Sequence, residues 1–148
     1  MTIVSLNNST SKYLNIMLIR QLSVFLENRK GMFAKIARLL GDNGINMQAF
    51  TVSETEDFGI ARIITPTEQT DRAMALLKAN SYAVSVNQVL YIKCDNVPGS
   101  MANIMEKLAA AGISVEYMYA FSDSKSSVSR VVIRPDRLEE ANTIVQEL

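Results

Sequence analysis

The chain contains one sequence pattern twice, and the two copies lie 68 positions apart. In the first copy, a polar turn that ends at Gly31 precedes an apolar helical pattern, and that pattern ends at Gly44. Gly99 and Gly112 occupy the corresponding places in the second copy, so 13 positions separate the two glycines each time. A repeat of this length exceeds the roughly 20–50 residues of solenoid and propeller units. Each copy therefore predicts a whole small module.

The repeat divides the 148 residues into three segments. We expect a leader over residues 1–16, a first module over residues 17–89 and a second module over residues 90–148. Modules of about 70 residues are close to the lower limit for burying an adequate core alone. We therefore expect them to pack on each other or on a second chain.

The elements of the first module follow the order strand, helix, strand, strand, helix, strand. Alternating apolar residues indicate strands, helical spacing indicates helices, and Thr67 is expected to cap the second helix. The strands are predicted over residues 18–26, 45–53, 58–65 and 82–89, and the helices over residues 31–43 and 67–80. This order is that of the ferredoxin-like βαββαβ fold. The predicted fold class is α+β, with two tandem ferredoxin-like modules, antiparallel sheets and helices on one face.

The second copy follows the same order but stops before a counterpart of the strand over residues 82–89. Its predicted strands are residues 90–94, 113–121 and 127–134, and its helices are residues 99–111 and 136–148. A long exposed sheet edge invites pairing with another strand. We expect residues near Ile3 to Leu6, or a partner chain, to cover this edge.

Composition excludes several classes of function. Fifteen basic and fifteen acidic residues cancel, which argues against a nucleic-acid binder. The chain has one cysteine and no histidine, so we expect no metal site, no cofactor and no enzymatic activity. No apolar run approaches the ~20 residues of a membrane span, and the amino terminus lacks the pattern of a secretory signal. We expect a cytoplasmic protein without a membrane partner.

The turn before the first helix of each copy is the best candidate for a site. Gly31 and Gly99 allow a ligand to approach the backbone, and the unpaired amides of a helix start attract negative charge. Asn28 and Asn96 precede these glycines by three positions, and an amide can contact both the carboxylate and the ammonium of an amino acid. The structural alternative is that both asparagines satisfy backbone groups in their turns.

Further residues match between the copies. Asn46 and Ser114 begin the second strand of each copy, where they either reach a ligand held between two modules or remain solvated. Arg62 and Arg130 lie in mid-strand, where an arginine either binds a carboxylate or packs along its stem.

Tyr117, Tyr119 and Phe121 alternate along one strand and therefore share a sheet face. Packing in a core or interface explains them better than base stacking, because the chain is neutral. Cys94 is expected to be a small buried residue rather than a nucleophile, since no histidine is present to activate it.

The repeated pattern resembles the ACT domain, an amino-acid-sensing module of metabolic enzymes, in the form found in the regulatory domain of phosphoglycerate dehydrogenase. The resemblance rests on Glu27-Asn28-Arg29-Lys30-Gly31 with Gly44-Ile45-Asn46-Met47, and on Asn96-Val97-Pro98-Gly99 with Gly112-Ile113-Ser114-Val115. It covers the chain from about Leu18 to the end. Lys30 departs from the family's usual proline and Ser114 from its usual asparagine, which implies unequal binding by the two copies.

The resemblance implies that an amino acid binds at these turns, at an interface between paired modules. The implied contacts in the first copy are Asn28, Gly31, Met32, Phe33 and Asn46. Those in the second copy are Asn96, Pro98, Gly99, Ser100, Met101, Ile113 and Ser114.

The sequence is therefore interpreted as a stand-alone regulatory module that binds a free amino acid, forms a homodimer and acts on a metabolic enzyme. The alternative is a subunit-assembly protein that binds no small molecule. An acylphosphatase-like enzyme and an RNA-recognition module share the expected fold, but the anion loop of the first and the glycine-aromatic signature of the second are not recognisable here.

Overall fold

The computed structural model describes residues 14–27, 29–55, 57–122 and 124–148. The chain divides into two compact units: the first unit is Ile19–Gln88, and the second unit joins Val89–Leu148 to the described residues up to Leu18. In this part of the chain no helix is both long and apolar enough to cross a membrane.

The elements in chain order are β1 (Asn15–Glu27), α1 (Met32–Asp42), β2 (Ala49–Glu54), β3 (Phe58–Ile64), a 3-10 turn (Thr67–Gln69), α2 (Thr70–Ala79), β4 (Val84–Asp95), α3 (Ser100–Ala110), β5 (Val115–Phe121), β6 (Val128–Pro135) and α4 (Leu138–Gln146).

In the first unit the strands lie in the order β2-β3-β1-β4. β3 pairs antiparallel with both β1 and β2. Alternate residues of β1 point to the same face, and both helices pack against them. The core contains Leu22, Val24 and Leu26 of β1, Ala61 and Ile63 of β3, Ile36 and Leu40 of α1, and Ala73 and Leu77 of α2.

The second unit repeats this arrangement with the order β1-β4-β6-β5, in which β6 pairs antiparallel with β4 and β5. Its core contains Leu90, Ile92 and Cys94 of β4, Val131 and Ile133 of β6, Ile104 and Leu108 of α3, and Ala141 and Val145 of α4. Each fully buried aliphatic side chain of this kind stabilises the fold by about 1.5–3 kcal/mol. The predicted fold class, tandem ferredoxin-like modules, is confirmed.

The first part of β1 occupies the sheet position that the second copy itself does not supply. Leu14, Ile16 and Leu18 pack against the second core, and the Gln146 side-chain amide donates a hydrogen bond of 3.4 Å to the Ile16 carbonyl. The predicted edge strand near Ile3 to Leu6 lies outside the described residues. The sheet edge beside β4 is filled because a strand that begins at Asn15 is longer than the alternating pattern from Leu18 suggested.

Two local predictions were wrong. The strands predicted over residues 82–89 and 90–94 are one continuous strand, β4, because nothing breaks the extended backbone between them. Thr67 does not cap a helix: residues 67–69 form the 3-10 turn, and no side chain caps α2.

The glycines that follow the first helix of each copy end those helices as predicted. Gly44 and Gly112 have φ angles of 70° and 72°, in the left-handed region where a side chain is strained. The backbone amides of the residues that follow these glycines, Ile45 and Ile113, donate hydrogen bonds to the Leu40 and Leu108 carbonyls at 2.9 and 3.0 Å.

Candidate functional site

The turns that lead into α1 and α3 have the same backbone geometry. Gly31 and Gly99 occupy the N-cap positions with φ angles of 80° and 90°, and no side chain among the described residues caps either helix. Their carbonyls accept the first helical hydrogen bonds, from the Lys35 and Asn103 amides, both at 3.0 Å. Only glycine adopts this conformation without strain.

Both turns are open at the glycine. A Cβ atom built on Gly31 or Gly99 would have no atom of the surrounding residues within 4 Å. The first turns of α1 and α3 also carry no acidic side chain. No acidic residue in its own first turn therefore offsets the positive end of either helix dipole, which favours an anion.

In the second copy, the turn is tied to the hairpin between β5 and β6. The Asn96 side-chain amide donates a hydrogen bond to the Ser126 carbonyl at 2.9 Å. The Asn96 backbone amide donates to the Ser127 carbonyl at 3.0 Å. Asn96 therefore satisfies a backbone carbonyl group with its side chain, as the structural alternative for this residue predicted. Its counterpart in the first copy, Asn28, lies outside the described residues.

In the first copy, the turn borders a cavity of about 320 Å³. Its walls come from the end of β1, the turn, the start of α1 and the hairpin between β2 and β3. The lining residues are Leu26, Glu27, Arg29, Lys30, Gly31, Met32, Phe33, Ala34, Val52, Glu54 and Gly59. Three of the predicted contacts, Gly31, Met32 and Phe33, are therefore brought together.

The site predicted from the sequence did not include the strand residues that line this cavity. Leu26, Val52 and Glu54 belong to the lining, and Glu54 faces Gly59 across the β2–β3 pair. They are separated from the turn along the chain, so only the strand register brings them to it. The alternation of Val52 and Glu54 on one strand was the available signal.

The β5–β6 hairpin is two residues longer than the β2–β3 hairpin. Phe50 pairs with Ile63, 13 positions on, whereas the equivalent Met118 pairs with Ile133, 15 positions on. The added residues lie in the turn over residues 122–127, which contains both carbonyls that bind Asn96.

This insertion corrects the predicted equivalence of Arg62 and Arg130. Arg62 pairs with Ser23, but Arg130 pairs with Lys93, and these partners are 70 rather than 68 positions apart. The two arginines occupy equivalent positions in the repeated sequence, but they occupy different register positions in the sheet.

Asn46 and Ser114 lie at the far end of the first helix of their own units. The Asn46 amide donates to Gln69 Oε1 at 3.0 Å, and the Ser114 amide donates to Asp136 Oδ1 at 3.1 Å. A helix of 11 residues is about 16 Å long. Within a unit, neither residue is beside its glycine turn.

The remaining predicted contacts of the second copy are divided between surface and core. Pro98 is exposed and Ser100 is half-buried, with its amide donating to the Val97 carbonyl at 3.3 Å. Met101 packs against the second core, and Ile113 is buried within it.

The other candidate residues, which are three aromatic residues of β5 and Cys94, are half-buried or buried. Tyr117, Tyr119 and Phe121 share a sheet face as predicted, and all three are half-buried. Cys94 is buried in the second core, where burial and then the nearby Asp95 charge raise the pKa of its thiol. A raised pKa disfavours the nucleophilic thiolate.

The fold and the paired glycine turns define a tandem ferredoxin-like protein with two equivalent strand–helix turns. The family model of the ACT domain pair matches residues 17–147, and the chain belongs to that family. The resemblance identified from the repeated motif is therefore confirmed.

Solved structures share the fold. The chain is similar to a protein from Bacteroides thetaiotaomicron, with 38% identity, a TM-score of 0.81 and coverage of 89% of each chain. The ligand-free regulatory subunit of aspartate kinase from Thermus thermophilus has 13% identity and a TM-score of 0.62, covering 91% of this chain and 97% of that one. The Thermus flavus regulatory subunit has 17% identity and a TM-score of 0.63, covering 92% and 98%. These two likenesses show the shared fold. No curated protein matches the sequence.

Proposed function

We propose that this chain is a regulatory module that binds a free amino acid at its strand–helix turns. The observation that carries the proposal is the cavity of about 320 Å³ beside the Gly31 turn. Small-molecule pockets run from about 300 to 1,000 Å³, so this cavity suits a ligand at the small end of that range.

The chemistry of the turn suits a zwitterion. The open glycine and the helix start, which lacks acidic residues, favour the carboxylate. The lining contains charges of both signs, from Glu27 and Glu54 and from Arg29 and Lys30. An ammonium and a carboxylate each have a partner of opposite charge within this one lining.

In this proposal the ligand acts by favouring one arrangement of the protein. Binding shifts an equilibrium only by the difference in affinity for its two states. The regulated partner is proposed to be a metabolic enzyme, and two structural relatives that share the fold are named as regulatory subunits of aspartate kinase. This comparison supports a regulatory role rather than a catalytic one.

We also propose that the chain works as a homodimer. β2 is the outer strand in the first unit and β5 is the outer strand in the second. β5 carries Tyr117, Met118, Tyr119 and Phe121, and outer strands of this apolar character pair readily with another strand. Light scattering after size-exclusion chromatography measures the mass, and a monomer at micromolar concentration would contradict this point.

A thermal-shift screen against each of the twenty amino acids tests the function. A ligand that binds only the folded state adds about 2.7 kcal/mol at one hundred times its dissociation constant. We expect a subset of amino acids to raise the melting temperature at millimolar concentration. If none does, the subunit-assembly function replaces this one.

A further inference from the structure

The floor of the cavity in the first unit is apolar. Leu26 is 6% exposed and Val52 is 38% exposed, and they lie on the same face of the sheet as the start of α1. The Phe33 ring borders this floor and lies 5.5 Å from the Phe50 ring. A side chain bound here would cover apolar surface that is otherwise partly exposed.

The rim of the same cavity carries two charged side chains that form no ion pair with another described residue. Glu27 and Arg29 bind each other at 2.8 Å. Glu54 and Lys30, by contrast, are exposed and form no ion pair with any other residue that the structure describes. The Glu54 Cγ atom is 3.7 Å from the position of a Cβ built on Gly59, so this side chain stands at the edge of the floor.

At the equivalent positions, the second copy lacks the two unpaired rim charges and has smaller floor residues. Pro98 and Ser122 replace the charges of Lys30 and Glu54. Cys94 and Ala120, both smaller, replace Leu26 and Val52. The same turn is also tied to its hairpin through Asn96.

From these walls we infer that the cavity in the first unit is a site for a free amino acid with an apolar side chain, whose carboxylate pairs with Lys30 and whose ammonium pairs with Glu54. The inference rests on the proposed function and adds the ligand class, the unit and the two charged partners. The apolar floor disfavours a third charge, because a charge moved onto it loses hydration without gaining a partner. The second unit, which lacks both rim charges, does not bind this ligand class at the same affinity.

Titration calorimetry of the full chain tests the ligand class. L-leucine, L-isoleucine, L-methionine and L-phenylalanine are compared with glycine, L-aspartate and L-lysine. We expect at least one of the four apolar amino acids to bind more than about tenfold tighter than glycine, since each buried methylene adds about fourfold. The expected stoichiometry is one ligand per chain.

Glu54→Gln and Lys30→Gln test the two rim contacts. Each removes a charge and keeps a similar shape, and we expect each to weaken binding of the apolar amino acid by about tenfold. Glu68→Gln and Lys78→Gln are the matched controls, because both residues are exposed and lie outside the cavity lining. We expect the controls to bind as the unchanged chain does.

Removal of the ligand's own ammonium isolates the Glu54 contact. The leucine analogue 4-methylpentanoate lacks the amine, so it should bind weakly to the unchanged chain and equally weakly to Glu54→Gln. A similar loss for L-leucine and for the analogue on this substitution would place the ammonium elsewhere.

Val52→Thr tests the floor. It keeps the branched shape and adds a hydroxyl, and we expect a loss of about fivefold for L-leucine but little change for glycine. Thr51→Val, on the opposite face of the same strand, is the control.

The outcomes separate this inference from the proposed function. Tighter binding of a charged amino acid, or unchanged binding in Glu54→Gln and Lys30→Gln, overturns the inference and leaves an amino-acid sensor. Absence of binding by any amino acid overturns both.

Discussion

The two strand–helix turns share a backbone and differ in what surrounds them. Gly31 and Gly99 have nearly the same φ angle and the same open position at a helix start. The first turn borders a cavity, whereas Asn96 binds the second turn to the carbonyls of Ser126 and Ser127. A duplicated motif therefore conserves the conformation and openness of a turn without conserving the residues around it, because those come partly from a hairpin elsewhere in the chain.

The hairpin that Asn96 contacts is also the longer of the two. Equivalent paired residues are 13 positions apart across the β2–β3 hairpin and 15 positions apart across the β5–β6 hairpin. The longer turn reaches Asn96, and the register of β6 moves by two residues relative to β3. A short insertion has thus moved Arg130 to a different register position from that of Arg62.

Truncation of equivalent core residues should have the largest effect, and it compares the two cores directly. Leu22 and Leu90 are both fully buried, at the same register position of β1 and β4. Leu22→Ala and Leu90→Ala should each lower the free energy of unfolding by about 2–5 kcal/mol, through lost burial and a residual cavity. Urea denaturation measures both. A loss below 1 kcal/mol for either would mean that its core collapses to fill the space.

Substitution of the turn glycines should have the next largest effect, and it tests whether the two backbones are equivalent. Gly31→Ala and Gly99→Ala place a Cβ on a left-handed residue, which costs about 1–2 kcal/mol. No neighbouring atom would be in the way, so the strain of the backbone is the whole cost. Gly41→Ala, within α1 and without a positive φ, should instead stabilise the protein by about 0.5–1 kcal/mol. The same sign at all three glycines would contradict the assigned conformations.

Asn96→Ala tests the contact between the second turn and its hairpin. Loss of the hydrogen bond to Ser126 should cost about 0.5–1.5 kcal/mol. Amide hydrogen exchange should become faster over residues 124–127 and stay unchanged over residues 58–64, where the first copy has its own hairpin strand. Unchanged exchange in both segments would show that Asn96 does not hold the second hairpin.

The Arg20–Asp71 ion pair should have the smallest effect, and it is specific to the first unit. The two side chains are 2.7 Å apart, and Gln88 and Glu139 stand 68 positions further on. The hydrogen bond and charge of Arg20 lower the pKa of the Asp71 carboxyl. Its stabilising contribution is therefore complete above the ordinary carboxyl pKa of about 4, and it is lost as the pH falls through the lower folded-state value.

Urea denaturation at a series of pH values checks this pair. Asp71→Asn should reduce the acid sensitivity of unfolding slightly, and Glu139→Asn should not. Equal pH profiles for the unchanged chain and Asp71→Asn would show that the exposed pair contributes nothing measurable.

Local features of the fold were predictable from the residues alone. The alternation of Leu22, Val24 and Leu26 indicated a strand with one buried face, and Gly44 indicated a left-handed residue at the end of the first helix. Such patterns are short-range, since they follow from the clash of a Cβ with its own backbone and from the period of a strand. They were sufficient for the fold class and for the family.

Pairing between distant segments was not predictable in the same way. Three features depend on which strands pair with each other. β1 begins at Asn15 and packs against the second core, β4 is continuous, and Arg62 and Arg130 differ in register. A shift of register leaves the local pattern of each strand intact, so nothing in the nearby sequence reports it. Val52 and Glu54 reach the Gly31 turn only through such pairing, and for this reason the cavity became visible in the folded chain and not in its sequence.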